Sequence, residues 1–398
     1  MLHRLYFSPG MFGFGKLASY DYFTHVERAL SERLHAAGDG VETHVVDVAP
    51  TESIRVRAFK LAERVASTCD GPGAGGGPIH LIGHSTGGLD ARLVASPGSG
   101  SLLSLHAGRL AWRPRLASIT AINTPHLGTP LASFFTTLSG QRALRALSAL
   151  TVIALSVGAP PLSIVSALVA AFGRVDNALG LELKVLDRTT DALLRRLDDV
   201  RSDEVRVYLD GMKKDGGAMV QLMPEAMDLF AAGIEDPPDV LCQSTASRAP
   251  PPSVRTLLHA TRYPRDALSE AVFAILHGIT SRIDASYPCS QPDARGDNQR
   301  VLQLPFEQPL EATANDGVVP IHSQIWGQLV WAGYGDHLDV IGHYRGRRVG
   351  GPGVAEGSGA PHVDWLVSGS GFDDGRFGSL MDAVAGGLLS STRGRRWT

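Results

Sequence analysis

Cysteine is scarce in this sequence of 398 residues, which contains only Cys69, Cys242 and Cys289. None of them lies in a CxxC pair, so a structural zinc site is not expected. Three cysteines are also too few for a disulfide framework, although a single bridge between Cys242 and Cys289 stays an open alternative.

An excess of basic residues is missing as well, because 37 Lys and Arg stand against 40 Asp and Glu, for a net charge of −3. A nucleic-acid surface needs a basic excess, so we expect no nucleic-acid partner. The start of the chain does not resemble a cleavable leader, since only a few apolar residues follow Arg4 before Ser8. As written, the chain is expected in the cytoplasm; a mis-assigned start codon would instead allow a secreted protein.

An uninterrupted apolar run long enough for a membrane span is also absent. The most apolar segment, residues 144–172, is broken by Pro160 and Pro161. Each half is about a dozen residues long, whereas a helix needs about 20 to cross a bilayer, so we expect no integral membrane span. The stretches 144–157 and 162–172 are predicted to form either a buried helical hairpin or a cap over a cleft for acyl chains. Such a cap would also provide contact with a lipid interface.

What the first third of the chain does contain is short strands that alternate with helical patterns. Apolar residues recur four apart in the helical segments, as at Val26, Leu30 and Leu34. Strand followed by helix, repeated, predicts an α/β fold with a mostly parallel sheet and helices on both faces. The expected strands cover residues 5–7, 42–48, 79–82, a segment that starts at 116, and 239–247.

The composition divides the chain into three parts. Residues 1–130 are predicted to form the N-terminal half of the α/β core. Residues 131–236, which include the apolar segment, are expected to be a helical cap or lid inserted into that core. Residues 237–398 are predicted to complete the core and to carry the partners of the nucleophile described next.

A short motif, Gly-His-Ser-Thr-Gly at positions 83–87, follows an apolar strand and precedes helix-forming residues. It fits G-x-S-x-G, the nucleophile elbow, in which a tight strand-to-helix turn exposes a serine hydroxyl. Larger side chains at Gly83 and Gly87 would clash in such a turn. The following helix N-terminus points free N–H groups at a developing oxyanion. The motif therefore predicts Ser85 as a nucleophile, against the alternative of an incidental glycine-rich turn.

A nucleophilic serine needs a base, and in this arrangement the chain order is Ser, then Asp or Glu, then His. Asp316 lies in "NDGVV", where Asn315 and Gly317 favour a turn that exposes the carboxylate. His337 lies in "GDHLD", after one apolar segment. These two residues are the predicted partners of Ser85.

Other interpretations of the same residues stay open. Asp316 could be a plain turn aspartate, and His337 a loop histidine bonded to Asp336 or Asp339. A second His-x-Asp, at His362 and Asp364, is an alternative position for the base.

Four segments together resemble the bacterial true lipases, the Pseudomonas and Burkholderia group of the α/β-hydrolase superfamily. "PGMFGFGKLASYDYF" is similar to the oxyanion loop of that family, with Pro9 where His is usual, and "IHLIGHSTGG" is similar to its serine elbow. "INTPHLGTPLASFF" resembles the stretch after the next strand, and "TANDGVV" followed by "DHLD" resembles the aspartate and histidine motifs.

The resemblance implies a role for each matching residue. Ser85 would be the nucleophile, His337 the base, and Asp316 the residue that orients the base. The backbone N–H groups of Met11 and Thr86 would form the oxyanion hole. The fold implied is the α/β-hydrolase fold, a doubly wound sheet with a helical cap insertion.

The family also binds a structural calcium ion near the catalytic histidine. Asp339 matches one carboxylate ligand, but His343 stands where the family has a glutamine ligand and is a poor ligand for a hard cation. We therefore predict that the chain needs no cofactor, with calcium at Asp339 as the alternative.

Taken together, the residues and the resemblance predict a serine carboxylic-ester hydrolase that acts on a small, lipid-like ester. Two alternatives remain. One is an acyltransferase or polyester depolymerase with the same triad, and the other is a non-catalytic α/β-hydrolase-fold binding protein. A fold alone does not determine the substrate.

Overall fold

A computed structural model describes most of the chain outside the segment predicted to form the cap. The described residues are 1–11, 16–17, 20–49, 51–69, 76–103, 105, 107–137, 140–144, 146, 188, 191, 216–252, 264–291, 296–344 and 366–394. Positions 147–187 and 192–215, which include most of the apolar stretches, lie outside them.

Six strands form one sheet in the order β4-β1-β5-β6-β7-β8, and every neighbouring pair is parallel. The sequence prediction of a parallel α/β sheet is therefore confirmed. β5 and β6 are buried along their full lengths, as expected for strands covered on both faces. The strands are β1 (Leu2–Ser8), β2 (Lys16–Leu17), β3 (Tyr20–Asp21), β4 (Gly40–Val45), β5 (Ile79–His84), β6 (Leu116–Ile122), β7 (Leu241–Arg248) and β8 (Gln328–Tyr334), with β2 and β3 forming a separate antiparallel pair.

Strand β4 ends earlier than the sequence pattern suggested. The predicted strand 42–48 is observed as Gly40–Val45. Val46 still donates its N–H to the carbonyl of Phe7 at 2.9 Å, so the chain stays beside β1 for one more residue before turning away.

The helices bury the apolar faces that their spacing predicts. Val26, Leu30 and Leu34 of the first helix are buried, and this helix packs against the last one, while the second and third helices pack against each other. The helices are α1 (Thr24–Ala36), α2 (Ile54–Cys69), α3 (Thr86–Ala95), α4 (Ser99–Leu102), α5 (Pro130–Thr136), α6 (Gly217–Gln221), α7 (Pro224–Gly233), α8 (Pro264–Thr280), α9 (Gly296–Gln303) and α10 (Asp374–Thr392).

The carboxyl ends of the parallel strands meet at one edge of the sheet, and the predicted site residues lie there. Ser85 follows β5 directly, and His337 follows β8. Asp316 lies far along the chain from β7, but its neighbour Asn315 accepts a hydrogen bond from the N–H of Ala249, just after β7, at 2.9 Å. The acidic loop therefore lies at the end of β7 in space.

Only fragments of the predicted cap are described. Ala143, Leu144 and Ala146 are buried in the main core. At the C-terminal end of the predicted cap, α6 contacts α5 and α2, and α7 contacts α6. Among the described helices, none is both long and apolar enough to cross a membrane.

Candidate active site

Ser85 occupies a strained turn between β5 and α3. Its backbone has φ 55° and ψ −128°, in a region that residues other than glycine rarely adopt. Its N–H donates to the carbonyl of Ile122 on the neighbouring strand at 2.9 Å, which fixes the turn to the sheet. The structure thus places the serine in the geometry of a nucleophile elbow.

The two glycines of the motif are required by close backbone contacts. A Cβ at Gly83 would lie 2.2 Å from the carbonyl group of Gly87, and a Cβ at Gly87 would lie 1.9 Å from the carbonyl oxygen of Ser8. No side chain fits at these distances, so β5, the turn and the end of β1 can approach each other only through glycine.

The loop after β1 approaches the serine from the other side. A Cβ at Gly10 would lie 2.7 Å from Cβ of Ser85 and 3.2 Å from its Oγ. Met11 follows in the same loop and lines a cavity together with Ser85. Thr86 is the first residue of α3, so its N–H has no acceptor within the helix. The two N–H groups predicted for the oxyanion hole thus belong to the two segments that flank Ser85.

The buried ion pair of Arg57 and Asp90 holds the loop after β1 in place. The guanidinium of Arg57 on α2 donates to Asp90 on α3, with Nη2 2.8 Å from Oδ2, and also donates to the carbonyl of Pro9. The hydroxyl of Ser8 donates to the same carboxylate at 2.7 Å. Burial raises the pKa of Asp90, while Arg57 opposes that shift. The pair therefore ties the helix after Ser85 to the loop before Met11.

Asp316 is held with both carboxylate oxygens fully engaged. Its Oδ1 accepts the N–H groups of Val318 and Val319 at 2.9 and 2.7 Å. Its Oδ2 accepts hydrogen bonds from Nδ1 of His337 at 2.8 Å and from Nδ2 of Asn123 at 3.0 Å. All four groups donate to the carboxylate oxygens, so they fix the position and orientation of the Asp316 side chain.

His337 is oriented by that carboxylate and by its own backbone. Because a carboxylate only accepts, Nδ1 carries the ring proton and Nε2 is left with a free lone pair. Among the described residues Nε2 has no hydrogen-bond partner, although it is buried. Nε2 forms no hydrogen bond with Oγ of Ser85 in the structure. Catalytic hydrogen bonds are often long before substrate binds.

Asn123 is a residue of the site that the sequence did not single out. It follows β6 with φ 46°, and it is fully buried. Its Nδ2 donates to Oγ of Ser247 at 2.6 Å as well as to Asp316, and its Oδ1 accepts the hydroxyl of Thr245 at 3.3 Å. Tolerance of asparagine for the left-handed region is the only sequence signal that could have found it.

An apolar pocket opens beside Ser85. Its wall is almost entirely hydrocarbon, which suits an acyl chain. The lining residues are Met11, Ser85, Pro125, Thr129, Leu131, Ala132, Phe135, Leu222, Val318 and Val319.

The structure bears differently on the alternative roles that the sequence left open for Asp336 and His362. Asp336 accepts the N–H groups of Leu338 and Asp339 and the hydroxyl of Ser368, so it closes its own turn and does not bond the ring of His337. Positions 362 and 364 lie outside the described residues. Of the two candidate bases, His337 is the one observed against Asp316.

Asp339, which matches one calcium ligand of the lipase family, is hydrogen-bonded within the protein. Its Oδ2 accepts both the N–H of Asp336 and the hydroxyl of Ser370, at 2.8 and 2.7 Å. In the described part of the chain, no three His, Cys, Asp or Glu side chains are grouped as metal ligands would be. Calcium at Asp339 therefore stays an alternative to the prediction that no cofactor is needed.

A parallel sheet with a strained serine after β5 and an Asp–His pair at the ends of β7 and β8 defines the class of protein. The chain has the α/β-hydrolase fold, as predicted. Within that class, part of its sequence is similar to bacterial triacylglycerol lipases.

Two curated relatives carry that relationship, while no family model matches the chain. A triacylglycerol lipase of Vibrio cholerae is 35% identical over 124 residues, which cover 31% of this chain and 32% of the relative. A triacylglycerol lipase of Pseudomonas fragi is 31% identical over 158 residues, which cover 36% of this chain and 51% of the relative. The chain thus spans about a third to a half of the curated relatives that it matches.

Solved lipases and esterases are similar in overall architecture. The Staphylococcus hyicus lipase aligns with a TM-score of 0.49 and 14% identity, covering 98% of this chain and 96% of the other. EstA from Clostridium botulinum aligns with a TM-score of 0.47 and 19% identity, covering 85% and 83%. The fold class itself rests on the sheet order and on the turn at Ser85.

Proposed function

We propose that the chain is a serine carboxylic-ester hydrolase that uses Ser85, His337 and Asp316. The observation that carries the proposal is the strained turn of Ser85, which lines an apolar pocket together with Val318 and Val319, the residues whose N–H groups hold Asp316. The partial relationship to triacylglycerol lipases supports the same activity.

In this proposal, His337 takes the proton of the Ser85 hydroxyl on Nε2 as Oγ attacks the ester carbonyl carbon. The negative charge that develops on the carbonyl oxygen is stabilised by the N–H groups of Met11 and Thr86. The imidazolium then gives its proton to the departing alcohol, and an acyl-enzyme remains. Asp316 keeps the ring of His337 oriented and in the correct tautomer.

Water completes the cycle in the reverse order. His337 removes a proton from the water as its oxygen attacks the acyl carbonyl, and returns that proton to Oγ of Ser85 when the acid leaves. An acceptor alcohol in place of water would give acyl transfer, which is the alternative activity of the same triad.

The cavity beside Ser85 indicates an aliphatic acyl group. Each CH₂ that moves from water into such a wall contributes about 0.8 kcal/mol. A chain of several carbons would therefore be favoured over acetate, and the substrate class that fits is a lipid-like ester.

The experiment that tests the proposal is labelling by a fluorophosphonate probe, together with hydrolysis of p-nitrophenyl esters. Ser85→Ala should lose labelling and reduce kcat/KM by about 10⁴-fold or more, since a triad member is removed. Ser118→Ala is a matched control, because this buried serine bonds His80 and should leave both signals intact. A folded parent that resists the probe would instead indicate a binding protein.

We also propose that the C-terminal part of the cap contacts a lipid interface. Leu229 on α7 is 77% exposed and Val220 on α6 is 56% exposed, and Leu222, which lies between them in the sequence, lines the pocket beside Ser85. Leu229→Asp should lower hydrolysis of an emulsified ester while hydrolysis of a dissolved short-chain ester stays unchanged. Equal effects on both substrates would rule out an interfacial role.

A further inference from the structure

Tyr22 and His84 lie between the two loops on either side of Ser85. The Tyr22 hydroxyl is 2.6 Å from Nδ1 of His84, and Nε2 of His84 is 2.8 Å from the backbone carbonyl oxygen of His337. Both side chains are buried, and the rings of His84 and His337 are 4.6 Å apart. His84 directly precedes Ser85 in the chain. Its side chain therefore links the Ser85 turn to the loop that carries His337.

The chemistry of the partners gives every hydrogen bond a direction. A carbonyl oxygen only accepts, so Nε2 of His84 must carry a proton and donate it to His337. Burial lowers the pKa of His84 well below its ordinary value, so the ring is neutral and Nδ1 is an acceptor. The hydroxyl of Tyr22 must therefore donate to Nδ1.

The other end of this chain of bonds lies in the loop that carries Met11. Gly10 lies directly against the Tyr22 hydroxyl. A Cβ at Gly10 would be 3.0 Å from that oxygen, which shows how closely the loop rests on the tyrosine. The chain of contacts thus runs from Gly10 to the Tyr22 hydroxyl, from that hydroxyl to His84, and from His84 to the carbonyl of His337.

We propose that Tyr22 and His84 are positioning residues that couple the oxyanion loop to the loop of the catalytic base. The inference rests on the proposed hydrolase function. Neither side chain is required to touch the substrate. They hold the backbone of Gly10 at a fixed distance from the backbone of His337. This fixes the positions of both the oxyanion donors and Nε2 of His337 relative to Ser85.

This coupling has a kinetic consequence. An error of about 1 Å in the placement of a catalytic group can cost about 100-fold in rate, while binding of the apolar acyl chain is left unaffected. Loss of the Tyr22 hydroxyl should therefore appear in kcat and leave KM nearly constant. A role in stability alone would leave the kcat of the folded protein unchanged.

The first test compares Tyr22→Phe with Tyr6→Phe in the full chain. Both tyrosines are buried, and the hydroxyl of Tyr6 bonds Oγ1 of Thr68 at 2.8 Å, away from the Ser85 turn. Tyr22→Phe should lower kcat for p-nitrophenyl butyrate by about tenfold or more, with KM within about twofold of the parent. Tyr6→Phe should leave kcat unchanged. A Tyr22→Phe enzyme with parental kcat would overturn the inference.

His84 provides a second pair of variants. In His84→Gln the amide nitrogen can take the place of Nε2 and still donate to His337, whereas His84→Leu cannot. Glutamine should therefore recover most of the kcat that leucine loses. If the two variants lose kcat equally while both remain folded, the bond to the His337 carbonyl has no positioning role.

Hydrogen exchange separates this inference from the proposed function. Tyr22→Phe should raise amide exchange both in residues 8–11 and in residues 336–341, and Tyr6→Phe should raise it in neither. This readout needs no ester hydrolysis, so it decides the coupling even if the parent proves inactive. A rise confined to residues 8–11, or no rise at all, would overturn the coupling.

Discussion

Two substitutions of Asn123 should distinguish the effect of its amide on Asp316 from the effect of its strained backbone on stability. The amide of Asn123 donates to Oδ2 of Asp316 at 3.0 Å, the same oxygen that accepts Nδ1 of His337. Asn123→Gly removes the amide but suits the backbone, because glycine adopts φ 46° without strain. Asn123→Ala removes the amide and keeps the strain.

The expected magnitudes follow from the number of bonds that remain. A hydrogen bond to a charged group is worth about 1.5–3 kcal/mol, and Asp316 retains the N–H groups of Val318 and Val319 and the ring of His337. We expect both variants to lose about tenfold in kcat, equivalent to about 1.4 kcal/mol. The alanine variant should be less stable than the glycine variant by about 1 kcal/mol, measured by urea unfolding.

A third variant, Asn123→Asp, reverses the electrostatics of this contact. A second carboxylate would face Oδ2 of Asp316, and two like charges at that distance cannot both ionise, so one pKa of the pair must rise. The folded state then binds a proton that the unfolded state has already lost. Stability relative to the parent should therefore fall as pH rises through the raised pKa, and activity should recover partly below it.

The reasoning would be refuted if the variants at position 123 showed no effect on Asp316. If Asn123→Asp shows the same pH profile of unfolding free energy as the parent, the amide does not contact the carboxylate in solution. Parental kcat in the glycine variant would likewise show that Val318 and Val319 alone fix Asp316.

Two further predictions concern the support of the oxyanion loop and the acyl pocket. Arg57→Met leaves Asp90 buried without its cation and frees the Pro9 carbonyl, so unfolding free energy should fall by about 3–5 kcal/mol, with partial recovery in the double variant that adds Asp90→Asn. No recovery would show that the ion pair is not the source of the loss. Phe135→Ala enlarges the cavity beside Ser85, so the preferred p-nitrophenyl ester should become longer by several carbons; an unchanged chain-length profile would place the acyl group elsewhere.

The sequence predicted those parts of the site that are local. The elbow is readable because its constraints lie within five consecutive positions, and the contacts of Gly83 and Gly87 explain why glycine is needed at both ends. The turn around Asp316 is readable for the same reason, since Asn315 accepts the N–H of Gly317 within one turn. Local backbone chemistry leaves a local pattern in the sequence.

The parts that sequence reasoning missed are contacts between distant segments. Asn123 meets Asp316 across 193 positions, and His84 meets His337 across 253. Nothing in the neighbourhood of either residue distinguishes it from an ordinary polar residue at the end of a strand. Such partners become visible only when the parallel strands bring their carboxyl ends together.

The hydrogen bonding of His337 leaves one atom for the reaction. Its N–H donates to the carbonyl of Asp316 at 3.0 Å, its carbonyl accepts from His84, and its Nδ1 donates to the carboxylate. Nε2 is then the one polar atom of this residue without a partner among the described residues, and it is buried. A buried nitrogen without a partner costs free energy, and that cost is relieved when a hydroxyl donates to it. The fold therefore favours whichever hydroxyl reaches Nε2, and in the proposed mechanism that hydroxyl is first Ser85 and then water.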